Sequence, residues 1–333
     1  MFKRFITLVA AATLTGASLM AEGFIPTVHG TFRADYELST DNGESRFQVQ
    51  NARITATGAP LEFLDYFLQV DFCAAGKVKP LDVFITLHPD SHWKIFAGQM
   101  RVPFSAESTR LPRDYYFVNT AMVQNYGNLR AVGVKVGYNF PGTPLYTEGG
   151  VFNSSDMEAH TAWNDGMTYG IRLNATTHGW HPEVAFMSRI PGGTGAGVRV
   201  NMANASLAWT SAHWFVEGEY IYRTYTGNSH PATHVYSIYA DYSHHMNSRM
   251  FNRWSVQARF DGQTDGATGI YNAEHQVVTN VPSRRRVTVG ATVSHRSSVR
   301  LDFRVNYEQY FYGHTSLSHP DPSRLLAGVM FYF

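Results

Sequence analysis

The sequence predicts an all-β chain: a transmembrane antiparallel β-barrel of about sixteen strands, with one loop folded into its lumen. Three observations predict it. Apolar and polar residues alternate at period two in segment after segment, which marks strands whose successive side chains face opposite sides of a sheet. The polar faces carry full charges, as where Arg300, Asp302, Arg304, Asn306 and Glu308 oppose Val299, Leu301, Phe303, Val305 and Tyr307. The chain also ends on Phe331-Tyr332-Phe333, with Leu325, Ala327, Val329, Phe331 and Phe333 sharing one apolar face. A free apolar edge strand in water invites edge-to-edge pairing. In a barrel the same strand closes against the first one and turns its apolar face to lipid.

Met1 to Ala21 reads as a secretory signal, with Lys3 and Arg4 at its positive end and an apolar run from Phe5 to Leu14. That run is shorter than the roughly twenty residues a spanning helix needs. Residues 22–333 are therefore read as one exported barrel domain, uninterrupted by repeats or low-complexity linkers.

The alternation recurs from Phe32, Ala34, Tyr36 and Leu38 through Leu81–Leu87, Val132–Phe140, Met167–Ala175 and Trp254–Phe260. It assigns Lys94, Lys135, Arg172 and Arg304 to the wet interior, and Ile171, Val289 and Phe303 to lipid. Tyr138, Phe140, Trp209, Trp214, Tyr307 and Phe311 suit the aromatic girdles at the two membrane interfaces. Short joints are expected at 58–60, 88–90, 139–142 and 294–298, and long polar loops at 153–166, 227–234, 261–283 and 313–323. Outer-membrane barrels pair short periplasmic turns with long outer loops. Pro103 to Asn128 breaks the rhythm. A connection of that length in a compact protein is commonly functional, and Tyr115, Tyr116 and Phe117 argue against disorder. It is read as a loop folded into the channel, with packing on the outer rim as the alternative.

Charge steers the chain toward no particular macromolecule. Without Lys3 and Arg4 the balance is 25 basic against 26 acidic residues, so a nucleic-acid partner is not indicated. Residues 249–324 nevertheless hold ten Arg, no Lys and six acids. Arg grips carboxylate and phosphate through a planar fork where Lys acts as a point charge. The single cysteine, Cys73, has no internal partner and reads as a buried small residue. No Gly-x-Ser-x-Gly elbow and no His or Cys metal spacing occurs, so catalysis, metals and cofactors are not expected. Fifteen His leave a hydrolase assembled across strands as a minor alternative, and long loops leave an adhesive or structural barrel as another.

Gly98-Gln99-Met100-Arg101-Val102-Pro103-Phe104-Ser105, followed by Glu107, resembles the strand end and loop entry of the phosphate-selective porins O and P. Arg130-Ala131-Val132-Gly133-Val134 is similar to the strand that follows that family's constriction loop. Glu148–Asn153 and Tyr66–Phe72 fit its pattern on either side. The resemblance implies a sixteen-stranded barrel in the bacterial outer membrane, surrounded by lipid and assembled as a homotrimer. It also implies passive diffusion of small hydrophilic solutes, with a preference for anions such as phosphate. Five Lys in the whole chain are poor material for the lysine cluster of phosphate-selective members. Acids also share the inferred lumen faces: Asp35, Glu37, Asp65, Asp71, Glu217, Glu219 and Asp241.

Selectivity in such a pore is set by its width and the charges along it. Candidate anion contacts are Arg253, Arg259, Arg286, Arg296, Arg300 and Arg304 on the C-terminal polar faces, with Arg110 and Arg113 of the inward loop at the narrowest point. The competing reading is that each Arg pairs with a lumen acid and stiffens the wall.

Overall fold

A computed structural model describes residues 25–333, apart from 75, 156, 158–161, 164–165, 193–194 and 314–316. The expected signal segment lies outside the described residues. The sixteen strands are β1 (Thr27–Ser39), β2 (Ser45–Leu61), β3 (Leu64–Ala74), β4 (Lys77–Leu87), β5 (Trp93–Arg101), β6 (Arg130–Asn139), β7 (Leu145–Asn153) and β8 (Met167–Ala175). They continue as β9 (Trp180–Arg189), β10 (Val200–Thr210), β11 (Trp214–Tyr225), β12 (Thr233–His245), β13 (Arg253–Gln263), β14 (Arg284–Arg296), β15 (Arg300–Tyr312) and β16 (Arg324–Tyr332). Each pairs antiparallel with its sequence neighbours, and β1 closes on β16, so the barrel has no free edge. Closure is what lets strands cross a membrane, because every backbone N–H and C=O finds a partner without water.

The seam runs from Ser39↔Arg324 to Thr31↔Tyr332 and ends where Gly30 and Phe333 exchange backbone hydrogen bonds of 2.9 and 3.2 Å. Gly30 is required here. A Cβ at that position would lie 2.2 Å from the Phe333 ring.

Orientation of the faces settles the choice between a water-soluble and a lipid-embedded barrel. On β15 the charged and amide residues Asp302, Arg304, Asn306 and Glu308 are buried inside, while Phe303 and Val305 are 45% and 52% exposed on the outside. Ile171 and Val289 likewise point outward. Five of the six tryptophans, Trp93, Trp180, Trp209, Trp214 and Trp254, gather at the end that carries the chain's first strand residues and the short turns. They contact one another or Tyr138 and Tyr242. An apolar outer belt with an aromatic ring along its margin is what a bilayer selects. Replacing Phe303 with Lys should therefore cost about 2–4 kcal/mol of barrel stability. Urea unfolding in lipid vesicles measures it, and an unchanged midpoint would place position 303 outside the hydrocarbon.

Two expectations need correction. The joint placed at 58–60 is part of β2, which continues to Leu61 and turns at Glu62–Phe63. Gly58 reads as a turn residue, but its bare Cα makes room for the Tyr66 ring across the strand pair. The interior is also not polar throughout. Met187, Met202, Ile221 and Val235 face inward and form a core with Met100, Val102, Phe104, Met122 and Val123. Inward apolar residues near the outer ends of β9–β12 would cost free energy against water. They are covered because the chain between β5 and β6 folds across them.

Candidate functional site

Residues 102–129 leave the end of β5, cross the lumen and lie against the wall formed by β11–β16 and β1. The entry is packed on a glycine: a Cβ at Gly170 would stand 2.5 Å from Val102. The far side rests on a second one, Gly328 of β16, where a Cβ would meet Val118 at 2.9 Å. Between these points Ser105 caps a helical turn at Ala106–Thr109. The carboxylate of Glu219 receives the backbone N–H groups of Ala106 and Glu107 at 3.1 and 3.0 Å.

The loop's central stretch bends at 116–119 and pairs with no strand, so wall side chains bond its backbone instead. Four consecutive carbonyls accept from four different arginines. Arg304 donates to Phe117 at 3.4 Å, Arg33 to Val118, Arg259 to Asn119 at 2.9 Å and Arg286 to Thr120 at 2.7 Å. On the donor side Val118 N–H reaches Asn306 Oδ1 at 2.7 Å and Met122 N–H reaches Asp261 Oδ2 at 2.8 Å. A buried backbone group without a partner costs about 1–3 kcal/mol, and these contacts remove that cost along the segment.

Three of the four, Arg259, Arg286 and Arg304, are also neutralised by acids. Arg286 bonds Asp261 at 2.6 Å and Glu308 at 3.1 Å, and Arg259 bonds Glu308 at 3.3 Å. Arg300 and Arg304 both grip Asp302, at 2.8 and 2.6 Å. Arg253 pairs with Asp241 at 2.9 Å. Arg296 is exposed at the end of β14 and has no carboxylate partner among the described residues.

In the loop, Arg110 is held by Glu107 and by Glu217 at 2.8 Å, within 5.6–5.7 Å of the rings of Tyr116, Tyr239 and Phe215. Burial pushes the Tyr116 phenol up to about 12, so it stays neutral in this cluster. Arg113 lies over the Tyr332 ring with Asp114 at 3.5 Å. The sequence-level candidates thus divide into loop-holding Arg259, Arg286 and Arg304, wall-paired Arg253 and Arg300, loop-bound Arg110 and Arg113, and exposed Arg296.

Reasoning from the sequence missed three guanidiniums on the other side of the passage. Arg33 (β1), Arg53 (β2) and Arg101 (β5) line one cavity of about 470 Å³. Arg33 bonds only neutral acceptors, Asn51 Oδ1 at 3.0 Å and the Val118 carbonyl, and the Tyr115 ring lies 5.0 Å from it. Arg101 also bonds only carbonyls, those of Ser108 and Arg110. Arg53 is paired with Asp71 at 2.8 Å, but its buried Nη1 has no partner in the structure. Gln48, Gln50, Asn51, Asn119, Gln124 and Asn125 add amides to the lining, and Arg284, Arg286, Arg324 and Asp321 face the cavity from the C-terminal strands and the segment before β16. Arg101 was visible in the motif at 98–105. Arg33 had no such marker, since Asp35 and Glu37 follow it on the same face and only the barrel's closure brings it opposite the loop.

A closed, lipid-facing barrel whose lumen is narrowed by an inward loop defines the class of protein: an outer-membrane porin. The family model of phosphate-selective porin O and P matches residues 27–200. The chain belongs to that family. No curated protein matches it. Among solved structures, OmpF of Salmonella typhi, in complex with daunomycin, is 13% identical with a TM-score of 0.63, covering 93% of this chain and 98% of its own. The anion-selective porin from Comamonas acidovorans is 13% identical at 0.62, covering 93% and 100%. The outer-membrane channel DcaP of Acinetobacter baumannii is 10% identical at 0.62, covering 94% and 99%. At those identities the likeness is one of fold.

Proposed function

We propose that this porin passes small hydrophilic solutes with a preference for anions, and that Arg33, Arg101 and Arg53 set the preference at the narrow point. One observation carries the reading. Arg33 and Arg101 have no carboxylate partner among the described residues, whereas Arg253, Arg259, Arg286, Arg300 and Arg304 are matched to Asp241, Asp261, Glu308 and Asp302. In a narrow lumen with low-dielectric walls an unmatched charge focuses field, and a matched one contributes little.

The reading extends to assembly and export. The protein works as a channel and not an enzyme, forms homotrimers in the outer membrane, and reaches it by a signal at residues 1–21. A family named for porins supports the first point and the apolar run of residues 5–14 the last.

Reversal potential across a salt gradient tests the selectivity. Wild-type protein should favour chloride over potassium. Arg33→Gln with Arg101→Gln should move the potential toward cations while channels still open, and Arg253→Gln should move it less. A cation-preferring wild type, or a larger shift from Arg253→Gln, overturns the assignment.

A further inference from the structure

Below the narrow point the lumen wall changes character. A second cavity, of about 410 Å³, shares Arg101 with the first and is lined by Phe67, Phe84, Lys94 and Lys135, with Asp82 and Glu148 held by Arg130, Lys135 and Arg172. Their strands place these residues inward, since Leu68, Val83, Trp93 and Val134 beside them are the exposed outer residues. Phe67 and Phe84 are a cross-strand pair with rings stacked at 5.2 Å and 8° between planes. Phe96 meets Phe84 edge-on at 5.9 Å, and the Lys135 ammonium sits 4.4 Å from the Phe96 ring centre. Lys94 has no acid partner among the described residues.

Apolar rings facing a wet passage carry a hydration cost that charged or amide residues on β3–β5 would avoid. Phe67 and Phe84 here, beside the unmatched Lys94 ammonium and one step from Arg101, offer a flat apolar face next to fixed positive charge, while Lys135 is matched by Glu148 at 2.8 Å. The upper cavity is also several times larger than an inorganic oxyanion needs, and its amide lining offers hydrogen bonds to more polar atoms than a bare ion carries.

We infer that the preferred solutes are small carboxylates carried on a flat ring, with aromatic carboxylates of the benzoate type as the best-fitting class. The carboxylate is exchanged from Arg33 and Arg53 to Arg101 and then to Lys94. The ring stacks on Phe67 and Phe84 as the solute leaves toward the periplasm. Offset ring stacking and cation–π contact supply the discrimination, and an acyclic carboxylate makes neither. The inference rests on the anion preference proposed above.

Blockade of chloride current through single channels in planar bilayers tests it, with sodium benzoate, acetate, gluconate and phosphate added to either side. Benzoate should half-block at a concentration about tenfold lower than acetate, the ratio one good aromatic contact confers. Phe67→Leu with Phe84→Leu keeps apolar bulk but removes the rings. It should bring benzoate to the level of acetate and leave phosphate unchanged. Arg33→Gln should weaken all four. Equal blockade by benzoate and acetate in wild type, or tighter blockade by phosphate or gluconate, overturns the ring class and leaves the anion preference standing. Absence of anion preference in the reversal potential instead removes the reading beneath it.

Discussion

Deletion of Met330–Phe333 should leave no inserted barrel, with the truncated chain recovered unfolded from the periplasm. The deletion removes the pairs Arg33↔Met330, Phe32↔Phe331 and Thr31↔Tyr332 on one side, with the Gly30–Phe333 exchange beyond them. On the other side it removes Asp302↔Met330, Leu301↔Phe331 and Arg300↔Tyr332. Backbone groups of β1 and β15 would then face hydrocarbon without partners, at several kcal/mol each. That sum exceeds the whole stability of an ordinary domain, typically about 5–15 kcal/mol. Heat-modifiable mobility on gels of outer-membrane fractions reads the outcome. A normally inserted truncation product would show that the seam tolerates loss of a third of its closing strand.

Replacing Arg286 with Ala should free the inward loop and turn a narrow, steady channel into a wider, flickering one. The change removes the donor to the Thr120 carbonyl and strips Asp261 and Glu308 of one of their cations. Removing one partner of a buried pair typically costs about 3–5 kcal/mol, because the charge left behind is uncompensated. The barrel itself should survive, since β13, β14 and β15 keep their backbone ladders. Single-channel conductance measures the effect. Glu219→Gln serves as a milder comparison at the other end of the loop, where the carboxylate holds Ala106 and Glu107. Unaltered conductance and noise in Arg286→Ala would mean that packing on Gly170 and Gly328 holds the loop without the arginines.

The two effects trace back to different kinds of information in the chain. The inside and outside faces of the strands and the closing strand were legible in the chain, because period-two alternation is written locally and a bilayer leaves one way to satisfy it. Phe303 out and Arg304 in follow from adjacent letters alone. Equally legible was the departure of residues 103–128 from the wall, since alternation stops there and resumes at Arg130.

Which arginines are spoken for depends on how the barrel and its loop come together. Arg259, Arg286 and Arg304 looked like an open ladder on three successive strands. The loop arriving from β5 meets them with its own carbonyls, and Asp261, Asp302 and Glu308 sit between them. Arg33, near the other end of the chain with Asp35 and Glu37 just after it, is left facing the passage because closure of β1 on β16 carries it round to it. A guanidinium's charge is a local property; whether it is matched depends on groups up to hundreds of residues away. No pattern in the sequence records that distance.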